Sequence, residues 1–229
     1  KAWKLYRGRS IAIRDFDRFC HEQRYWVEDY ALFVVLKRRF KKAGWSEWPK
    51  QYRDREAEAI AAFARDNAQE LLAEKFYQFL FYRQWMRLQN YCSMQGVGLI
   101  GDIPIYVNND SVDVWVNPEF FKLDQDKRPT VVAGVPPDYF SEDGQRWGNP
   151  VYHWDRFLEP GFAWWVGRLG HNLALFDAVR IDHFRGFCQC WEIPAEEKTA
   201  RNGAWCDVPG AELFSELSRR FPSLPIIAE

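Results

Sequence analysis

The sequence has 229 residues, of which 47% are hydrophobic and 28% are charged, and this is the composition of a globular protein with a substantial core. The formal net charge of −1 argues against nucleic acid or an anionic membrane surface as the main partner. Residues 1–100 carry 19 Lys and Arg against 12 Asp and Glu, whereas residues 101–229 carry 12 against 20. The carboxylates available for acid–base chemistry therefore lie mostly in the second part.

Cysteine usage and apolar run lengths bear on the cellular setting. The five cysteines are odd in number and show no CxxC spacing, which favours a reducing, cytoplasmic location. The sequence contains no secretory signal and no apolar run of membrane-spanning length. We therefore expect neither a membrane nor nucleic acid as a partner.

The first part of the chain, residues 1–95, is predicted to be mostly helical. Apolar residues recur at three- and four-residue spacing up to Gly44, and a second, longer pattern of this kind stops at Gly96. A loop rich in Trp and Pro, residues 44–52, separates the two patterns.

The character of the chain changes at Gly96, where strand signals begin to alternate with helical ones. Alternating strands and helices imply parallel pairing through right-handed crossovers, so the predicted fold class is α/β. The turn-rich stretch 124–150 is interpreted as a functional loop, because it is too long for an ordinary connection. The predicted strands are 96–107, 175–181 and 224–229, and the predicted helices are about 160–174 and 210–221.

Two familiar motifs can be set aside. The glycines of GVGLIG (96–101) match the dinucleotide-binding pattern, but they close a predicted helix and open a strand, which is the reverse of the required order. His21, His153 and His171 lie far apart without ligand spacing, so ordinary hydrogen-bonded histidines are the better interpretation. The sequence therefore predicts no metal site.

Three carboxylates occupy a recurring position, at or near the carboxyl end of an apolar strand: Asp102, Asp182 and Glu229. In parallel barrels this end carries the active site. A buried carboxylate without partners costs several kcal/mol, so packing alone does not explain three of them. The alternative is that each caps a helix or pairs with an arginine, and for Asp102 alone this alternative is competitive.

The spacing of these carboxylates suits glycoside chemistry. Cleavage with retention needs two carboxyl groups roughly 5–5.5 Å apart, and neighbouring strand ends, about 4.8 Å apart, can supply them. Arg180 stands two residues before Asp182, so both side chains point to the same face of a strand. A guanidinium at that position is expected to keep Asp182 ionised.

Aromatic residues make up 17% of the chain and include 12 Trp. Although most are expected in the core, several stand beside Pro, Gly and Asp in predicted loops, as in PPDYF (136–140) and GQRWGNP (144–150). Exposed rings beside polar groups suit the flat apolar faces of sugars. The composition therefore favours carbohydrate binding.

Three segments together resemble a known family. VRIDHFRGF (179–187), PIIAE (225–229) and the long block 101–150 are similar to the 4-α-glucanotransferases, also called amylomaltases or disproportionating enzymes, of glycoside hydrolase family 77. YWVEDYALF (25–33) and FYRQW (81–85) are similar too, so the resemblance covers nearly the whole chain. It implies a (β/α)8 barrel of the α-amylase superfamily, with residues 1–95 as a helical insertion, residues 96–229 as central barrel strands and no organic cofactor.

The resemblance also implies roles for individual residues. Asp182 corresponds to the nucleophile and Glu229 to the general acid/base, with Arg180 and Asp102 as their supports. His183, directly after the nucleophile, corresponds to a position that either supports the catalytic residues or contacts sugar. The other matched positions are expected to contact or cover sugar: Asp138, Tyr139, Phe140, Gln145 and Trp147. The first three of these lie on a loop expected to cover the acceptor side.

The implied activity is transfer of α-1,4-glucan segments between maltooligosaccharides by retaining double displacement. An α-1,4-glucan hydrolase of the same superfamily is the alternative, and the stiff aromatic loop 134–148 favours transfer because it would exclude water. A non-catalytic glucan-binding module would not explain Arg180, Asp182 and Glu229 at strand ends. Family members are longer, and their third catalytic carboxylate lies beyond Glu229, so we expect an incomplete barrel in an excerpt of a longer enzyme or a chain cut at both ends.

Overall fold

The computed structural model describes residues 10–159 and 161–229. The chain falls into two compact units, one ending at Leu88 and the other spanning Gln89–Glu229. The boundary between the units lies inside a long helix. The functional division predicted between residues 95 and 96 stays a prediction, and residues 1–9 of the predicted helical part lie outside the described residues.

The first unit is built from helices, as the periodicity predicts. The helices are α1 (Ser10–Glu22), α2 (Arg24–Arg39), α3 (Lys50–Arg53), α4 (Ala57–Asp66) and α5 (Ala68–Met94). Helix α5 begins in the first unit and ends in the second. The segment predicted as a loop, 44–52, contains a short 3-10 turn, Trp45–Glu47, and the start of α3.

The second apolar pattern of the first part is two helices rather than one. Asn67 separates α4 from α5, and its side-chain amide donates to the backbone carbonyl of Phe63 at 2.9 Å. The same carbonyl also accepts from the backbone N–H of Asn67 at 3.0 Å, and with φ of −113° the backbone of Asn67 leaves the helical conformation. The apolar spacing resumes on the other side of Asn67, so periodicity alone does not reveal the break.

An aromatic cluster forms part of the core of the first unit, with Phe16 and Phe19 of α1 packed against Phe76 and Phe79 of α5. The ring centroids of Phe16 and Phe76 are 5.8 Å apart in an edge-to-face arrangement, which aromatic quadrupoles favour. The helical periodicity of the sequence is therefore explained by burial of one face of each helix.

Among the described residues of the second unit, seven strands form two sheets. Its further helices are α6 (Val112–Val116), α7 (Asp155–Leu158), α8 (Ala163–Leu175) and α9 (Gly210–Arg220). The strands are β1 (Ile100–Pro104), β2 (Val131–Val135), β3 (Gln145–Pro150), β4 (Ala178–Asp182), β5 (Gln189–Pro194), β6 (Ala204–Asp207) and β7 (Ile226–Ala228).

The first sheet is parallel and consists of the three strands that the sequence predicts, in the order β1–β4–β7. Helix α8 precedes β4 and α9 precedes β7, which confirms the alternation of helices and strands, although residue 160 of the predicted helix lies outside the described part. Within the described ranges this sheet has three strands and does not close. The fold is therefore mixed α/β, with the barrel incomplete in this chain.

The second sheet is antiparallel, in the order β3–β2–β5–β6, and it overturns the interpretation of 124–150 as one long loop. Residues 131–135 and 145–150 of that stretch are the paired strands β2 and β3. The turn residues Gly148, Asn149 and Pro150 mask β3 in the sequence, and its pairing with β2 supplies the strand conformation. The segments 124–130 and 136–144 remain as turns and loops outside the two strands.

A buried network joins the end of β1 to helix α8. The hydroxyl of Tyr152 donates to the carbonyl of Ile105 at 2.7 Å, and the Arg168 guanidinium donates to the carbonyls of Ile105 and Pro104 at 3.0 and 2.6 Å. Arg168 also lies over the ring of Trp165. These bonds fix the backbone where β1 ends, because each carbonyl at the strand terminus has a charged or buried donor.

The close approach of β2 to β3 gives a test of the second sheet. A Cβ at Gly134 would lie 2.1 Å from the carbonyl oxygen of Gln145 and 2.6 Å from the Ile193 side chain. We expect Gly134→Ala to lower the free energy of unfolding of the full-length protein by about 1–3 kcal/mol, as overpacking does. Denaturant titration measures this change.

The matched control is Gly167→Ala in α8, where a Cβ would have no described atom within 4 Å. This substitution is expected to leave stability unchanged or to raise it by up to about 1 kcal/mol, because alanine favours a helix over glycine. Equal stability of the two variants would contradict the close packing of β2 on β3.

Candidate active site

The parallel register places the predicted carboxylates side by side. Asp102 of β1 lies opposite Arg180 of β4, and Pro104 lies opposite Asp182. Ile181 lies opposite Ala228 of β7, so one further step along the register sets Asp182 beside Glu229. The backbone N–H of Glu229 donates to the carbonyl of Ile181 at 3.3 Å, which continues the ladder to that point. Asp182 and Glu229 therefore occupy adjacent ends of neighbouring strands.

Asp102 does not share that end. It is the third of five residues in β1, two residues before the last, and so lies near the carboxyl end of its strand. Its side chain pairs with Arg180, which is the alternative that the sequence left open for this residue.

Arg180 lies between the carboxylates of Asp102 and Glu229 and contacts both. Its Nε and Nη2 donate to the two carboxylate oxygens of Asp102 at 3.2 and 2.7 Å, and its Nη1 donates to Oε2 of Glu229. The pKa of Arg180 is raised, first by the hydrogen bond to Asp102 and then by the charges of Asp102, Glu229 and Asp182. The hydrogen bonds of the fork-shaped guanidinium go to β1 and β7, and its interaction with Asp182 is one of charge. The expectation that Arg180 keeps Asp182 ionised stays a prediction.

A cleft of about 530 Å³ lies at the carboxyl ends of β1, β4 and β7. Asp182 and Glu229 both line it, together with the sequence-predicted residues His183 and Trp147. The remaining lining residues were not predicted: Pro104, Ile105, Tyr106, Asn149 and Arg185. Asp102 and Arg180 are not among the lining residues, so they act on the cleft through Glu229.

His183 lies directly after Asp182 in a left-handed backbone conformation, with φ of 58°. Its ring meets that of Trp147 edge-on, with centroids 4.8 Å apart. Burial lowers the pKa of His183 below its ordinary value, while the charge of Asp182 raises this pKa and the charge of Arg185 lowers it. The imidazole is therefore neutral at neutral pH and can both donate and accept a hydrogen bond.

The ends of β4 and β7 are tied together just beyond the carboxylates. The backbone N–H of Phe184 donates to the carbonyl oxygen of Glu229 at 2.5 Å. The turn that carries His183 is thereby anchored to the residue that carries the second carboxylate. A sharp turn after Asp182 is what breaks the apolar strand at this point.

Strand β3 supplies one wall of the cleft. The indole N–H of Trp147 donates to Oε1 of Gln145 at 3.1 Å, and the amide of Asn149 donates to the carbonyl of Val107 at 2.9 Å. The Trp147 ring also packs against Tyr106, with centroids 6.2 Å apart. Gln145 thus reaches the cleft through Trp147, while the Trp147 ring, 38% exposed, presents an apolar face to it.

The loop between β2 and β3 carries the other predicted residues. Oδ1 of Asp138 accepts from the backbone N–H groups of Phe140 and Ser141 at 2.9 and 2.8 Å, so Asp138 shapes the turn. Tyr139 and Phe140 are 97% and 92% exposed and pack edge-to-face on each other. None of the three lines the cleft, so they are not brought together with Asp182 in this structure.

Among the cleft residues that the sequence analysis did not predict, Arg185 could have been recognised from its position in the sequence. It lies three residues after Asp182 in the same polar cluster and could have been assigned to the site on that ground. Tyr106 and Asn149 carry no such signal, because their places depend on packing of β3 beside β1. Sequence spacing does not report that packing.

The predictions about metals and membranes rest on the sequence alone. In the part of the chain that the structure describes, no group of three or more His, Cys, Asp and Glu side chains is placed to hold a metal ion. None of the helices described has both the length and the apolar composition needed to cross a membrane.

The electrostatics of the cleft predict opposite shifts in two variants of the full-length protein. Arg185→Met removes a positive charge that disfavours imidazolium, so the pKa of His183 should rise. Asp182→Asn removes the charge that favours imidazolium, so this pKa should fall. NMR titration of the His183 ring protons measures both shifts.

His171 is the internal control, because burial is the cause of its own lowered pKa. Its titration should be the same in both variants. Shifts of His183 in the same direction in the two variants would contradict the arrangement of charges described here.

Comparison with known proteins agrees with this arrangement. A family model described as 4-alpha-glucanotransferase matches residues 3–229. The chain is 45% identical over 229 residues to a 4-alpha-glucanotransferase of Aquifex aeolicus, covering 100% of this chain and 46% of that protein. It is 48% identical over 214 residues to one of Thermus thermophilus, covering 93% of this chain and 43% of that protein.

A solved structure is also similar to this chain over its whole length. Amylomaltase from Streptococcus agalactiae in complex with acarbose superimposes with a TM-score of 0.95 at 43% identity, over 100% of this chain and 46% of that one. This chain thus spans less than half the length of the relatives that it matches. The match of the family model over nearly every residue shows that the chain belongs to the 4-alpha-glucanotransferase family.

Proposed function

We propose that the protein to which this chain belongs is a 4-α-glucanotransferase that moves α-1,4-glucan segments between maltooligosaccharides with retention of configuration. The observation that carries the proposal is that Asp182 and Glu229 line one cleft from adjacent strand ends. Neighbouring strands are about 4.8 Å apart, which suits the short carboxylate separation of retaining enzymes. Acarbose, which is bound in the amylomaltase relative, supports a sugar-binding role for the cleft.

Asp182 acts as the nucleophile in this proposal. Its carboxylate attacks the anomeric carbon of the donor sugar, and the glycosidic oxygen leaves with the reducing-end segment. A covalent glycosyl ester on Asp182 results. Attack of an acceptor 4-hydroxyl on the same carbon then breaks the ester and restores the original configuration.

Glu229 acts as the proton donor in the first step and as the base in the second. Arg180 donates to its Oε2, so Oε1 is the oxygen suited to carry the proton. The same guanidinium is held by two bonds to Asp102, which fixes the direction of Glu229. Arg180 and Asp102 are therefore positioning residues for Glu229.

Trp147 and His183 bind sugar beside the carboxylates. The indole face suits the apolar face of a glucose ring, and the neutral imidazole suits a hydroxyl. Gln145 supports Trp147 through the bond to its indole N–H.

We further propose that the loop of Asp138, Tyr139 and Phe140 covers the acceptor sugar. The two rings are almost fully exposed, so they do not serve as core of this chain and are available to a ligand. An aromatic cover over the glycosyl ester excludes water, which separates a transferase from a hydrolase.

Three wider features of the enzyme are proposed from the sequence. The helical part, residues 1–95, serves as an insertion to the barrel of residues 96–229. The substrates are α-1,4-glucans, without a nucleic-acid or membrane partner and without an organic cofactor. The cysteine pattern supports a cytoplasmic location.

The activity itself is tested with maltotriose as the sole substrate of the full-length protein. We expect glucose together with oligosaccharides longer than maltotriose, because the donor segment on Asp182 is captured by another sugar. Chromatography of the products measures this. Formation of shorter sugars alone, with nothing longer than the donor, would place the protein among hydrolases.

The nucleophile is tested by Asp182→Asn in the full-length protein. The amide keeps the shape of the side chain but cannot form the ester, so turnover should fall by several orders of magnitude, while maltotriose affinity is roughly kept. Steady-state kinetics and calorimetric binding measure the two quantities. Turnover close to that of the wild type would exclude Asp182 as the nucleophile.

The loop is tested by replacing Tyr139 and Phe140 together with alanine. Opening the acceptor side should lower transfer and raise the ratio of hydrolysis to transfer, with donor cleavage less affected. The ratio of free reducing ends to transfer product measures this partition. If both activities fell together at an unchanged ratio, the loop would have a packing role instead.

A further inference from the structure

Arg185 lines the cleft but has no part in the mechanism above. It lies in the 3-10 turn Phe184–Phe187 that follows β4, three residues after Asp182. Its carbonyl accepts from the backbone N–H of Cys188 at 2.9 Å, so the turn that presents the side chain is closed. The guanidinium is exposed to the cleft together with Asp182 and Glu229.

The second sheet holds this guanidinium in place. Cζ of Arg185 lies 4.0 Å from the centroid of the Trp205 ring of β6, well within the range of a cation–π contact. The contact joins the turn after β4 to a strand of the other sheet. Arg185 is therefore not a freely rotating surface side chain.

Trp205 packs against a second tryptophan on the neighbouring strand. It lies opposite Trp191 of β5 in the register, and the two rings meet with centroids 5.2 Å apart. The indole N–H of Trp191 donates to the carbonyl of Ala200 at 2.9 Å. Gly203 packs so close to Trp191 that a Cβ there would lie 2.4 Å from its ring, so Trp191 is tightly packed.

The contact with Trp205 occupies the face of the guanidinium and leaves its N–H groups for a ligand. Arg185 makes no hydrogen bond through these groups to any residue in the described ranges, 10–159 and 161–229. A guanidinium offers five donors in a rigid fork and no acceptor, so the ligand must present acceptor oxygens at a matching spacing. Neighbouring hydroxyls of a sugar ring do so.

The charged groups of the cleft indicate whether the acceptor oxygens of the ligand belong to a sugar or to a phosphate. Asp182, the nucleophile of the proposed mechanism, lines the same cavity as a carboxylate, so an anionic ligand at Arg185 would meet its negative charge. A neutral sugar avoids this repulsion and still accepts charge-assisted hydrogen bonds.

We propose that Arg185 is a sugar-binding residue of the cleft, and that it donates to hydroxyls of the glucose unit bound beside Asp182 while Trp205 holds it in position. This assignment rests on the proposed transferase function. Arg185 touches substrate, whereas Trp205 acts through Arg185 and is a positioning residue. The second sheet thereby takes part in substrate binding from β6 as well as from β3.

Four single variants of the full-length protein test the pair. Arg185→Met should raise the KM for maltotriose about tenfold or more, because it removes charged hydrogen bonds, with a smaller change in kcat. Arg185→Lys should give an intermediate KM, since it keeps the charge but loses the fork. Trp205→Leu should raise KM by less than Arg185→Met does, and Trp205→Phe, which keeps an aromatic face, should restore most of the affinity.

The double variant Arg185→Met/Trp205→Leu separates a positioning role from a structural one. If Trp205 acts through Arg185, the double variant has the KM of Arg185→Met alone. Additive effects of the two substitutions would overturn the coupling, and an unchanged KM in Arg185→Met would overturn the binding role. Circular dichroism and the thermal unfolding midpoint check that each variant is folded. If Arg185→Met does not fold, the KM of Arg185→Lys tests the binding role instead.

Calorimetric binding of maltotriose in an Asp182→Asn background distinguishes failure of this inference from failure of the proposed function. The measurement needs no turnover, so it reports on Arg185 even if the parent protein forms no transfer product. Weaker binding on addition of Arg185→Met supports the inference, and equal binding contradicts it. Absence of longer sugars with the wild type would instead count against the transferase assignment.

Discussion

The arrangement of the site depends on one guanidinium. Arg180 extends from the central strand β4, donates twice to Asp102 on β1 and once to Glu229 beyond β7, and so connects the three parallel strands through their side chains. Exposed ion pairs contribute little to stability, so the value of this contact is geometric. It fixes the direction of Glu229 while Asp182, beside it in the register, is left to face the cleft. Two carboxylates with different partners can then perform different chemistry.

The second sheet supplies side chains that lie beside Asp182 and Glu229 or support the residues of the cleft. Strand β3 contributes the Trp147 wall, and β6 contributes the tryptophan that holds Arg185. The close approach of β2 to β3 at Gly134 holds the strand that carries Trp147 against its neighbour in the sheet. In the proposed mechanism the parallel sheet carries the reacting groups, and the antiparallel sheet carries groups proposed to contact the substrate. This division explains why one segment, 101–150, holds both an apolar strand and a run of turn residues.

Sequence reasoning found the parts that depend on local pattern. Short apolar runs ending in a carboxylate predicted β1, β4 and β7, and their register then brings Asp182 beside Glu229. It missed β2, β3, β5 and β6, which form the antiparallel sheet outside the strand–helix alternation. In β3, Gly148, Asn149 and Pro150 are typical of turns and take a strand conformation only through pairing with β2. The hydrogen-bond partners of Arg180 were not predicted, since spacing along β4 points to Asp182 while the long side chain reaches Asp102 and Glu229 on either side. Trp205 carries no signal in the sequence, because its contact with Arg185 joins two sheets.

The central claim is that Asp182 becomes covalently attached to sugar. The most direct measurement uses the full-length Glu229→Gln variant with an α-maltotriosyl fluoride, whose leaving group needs no proton donor. The ester then forms, while its transfer, which needs the base, is slowed. Mass spectrometry of the digested protein should find the maltotriosyl group on the peptide that contains Asp182. An adduct on another carboxylate, or no adduct at all while the fluoride is consumed, would contradict the assignment.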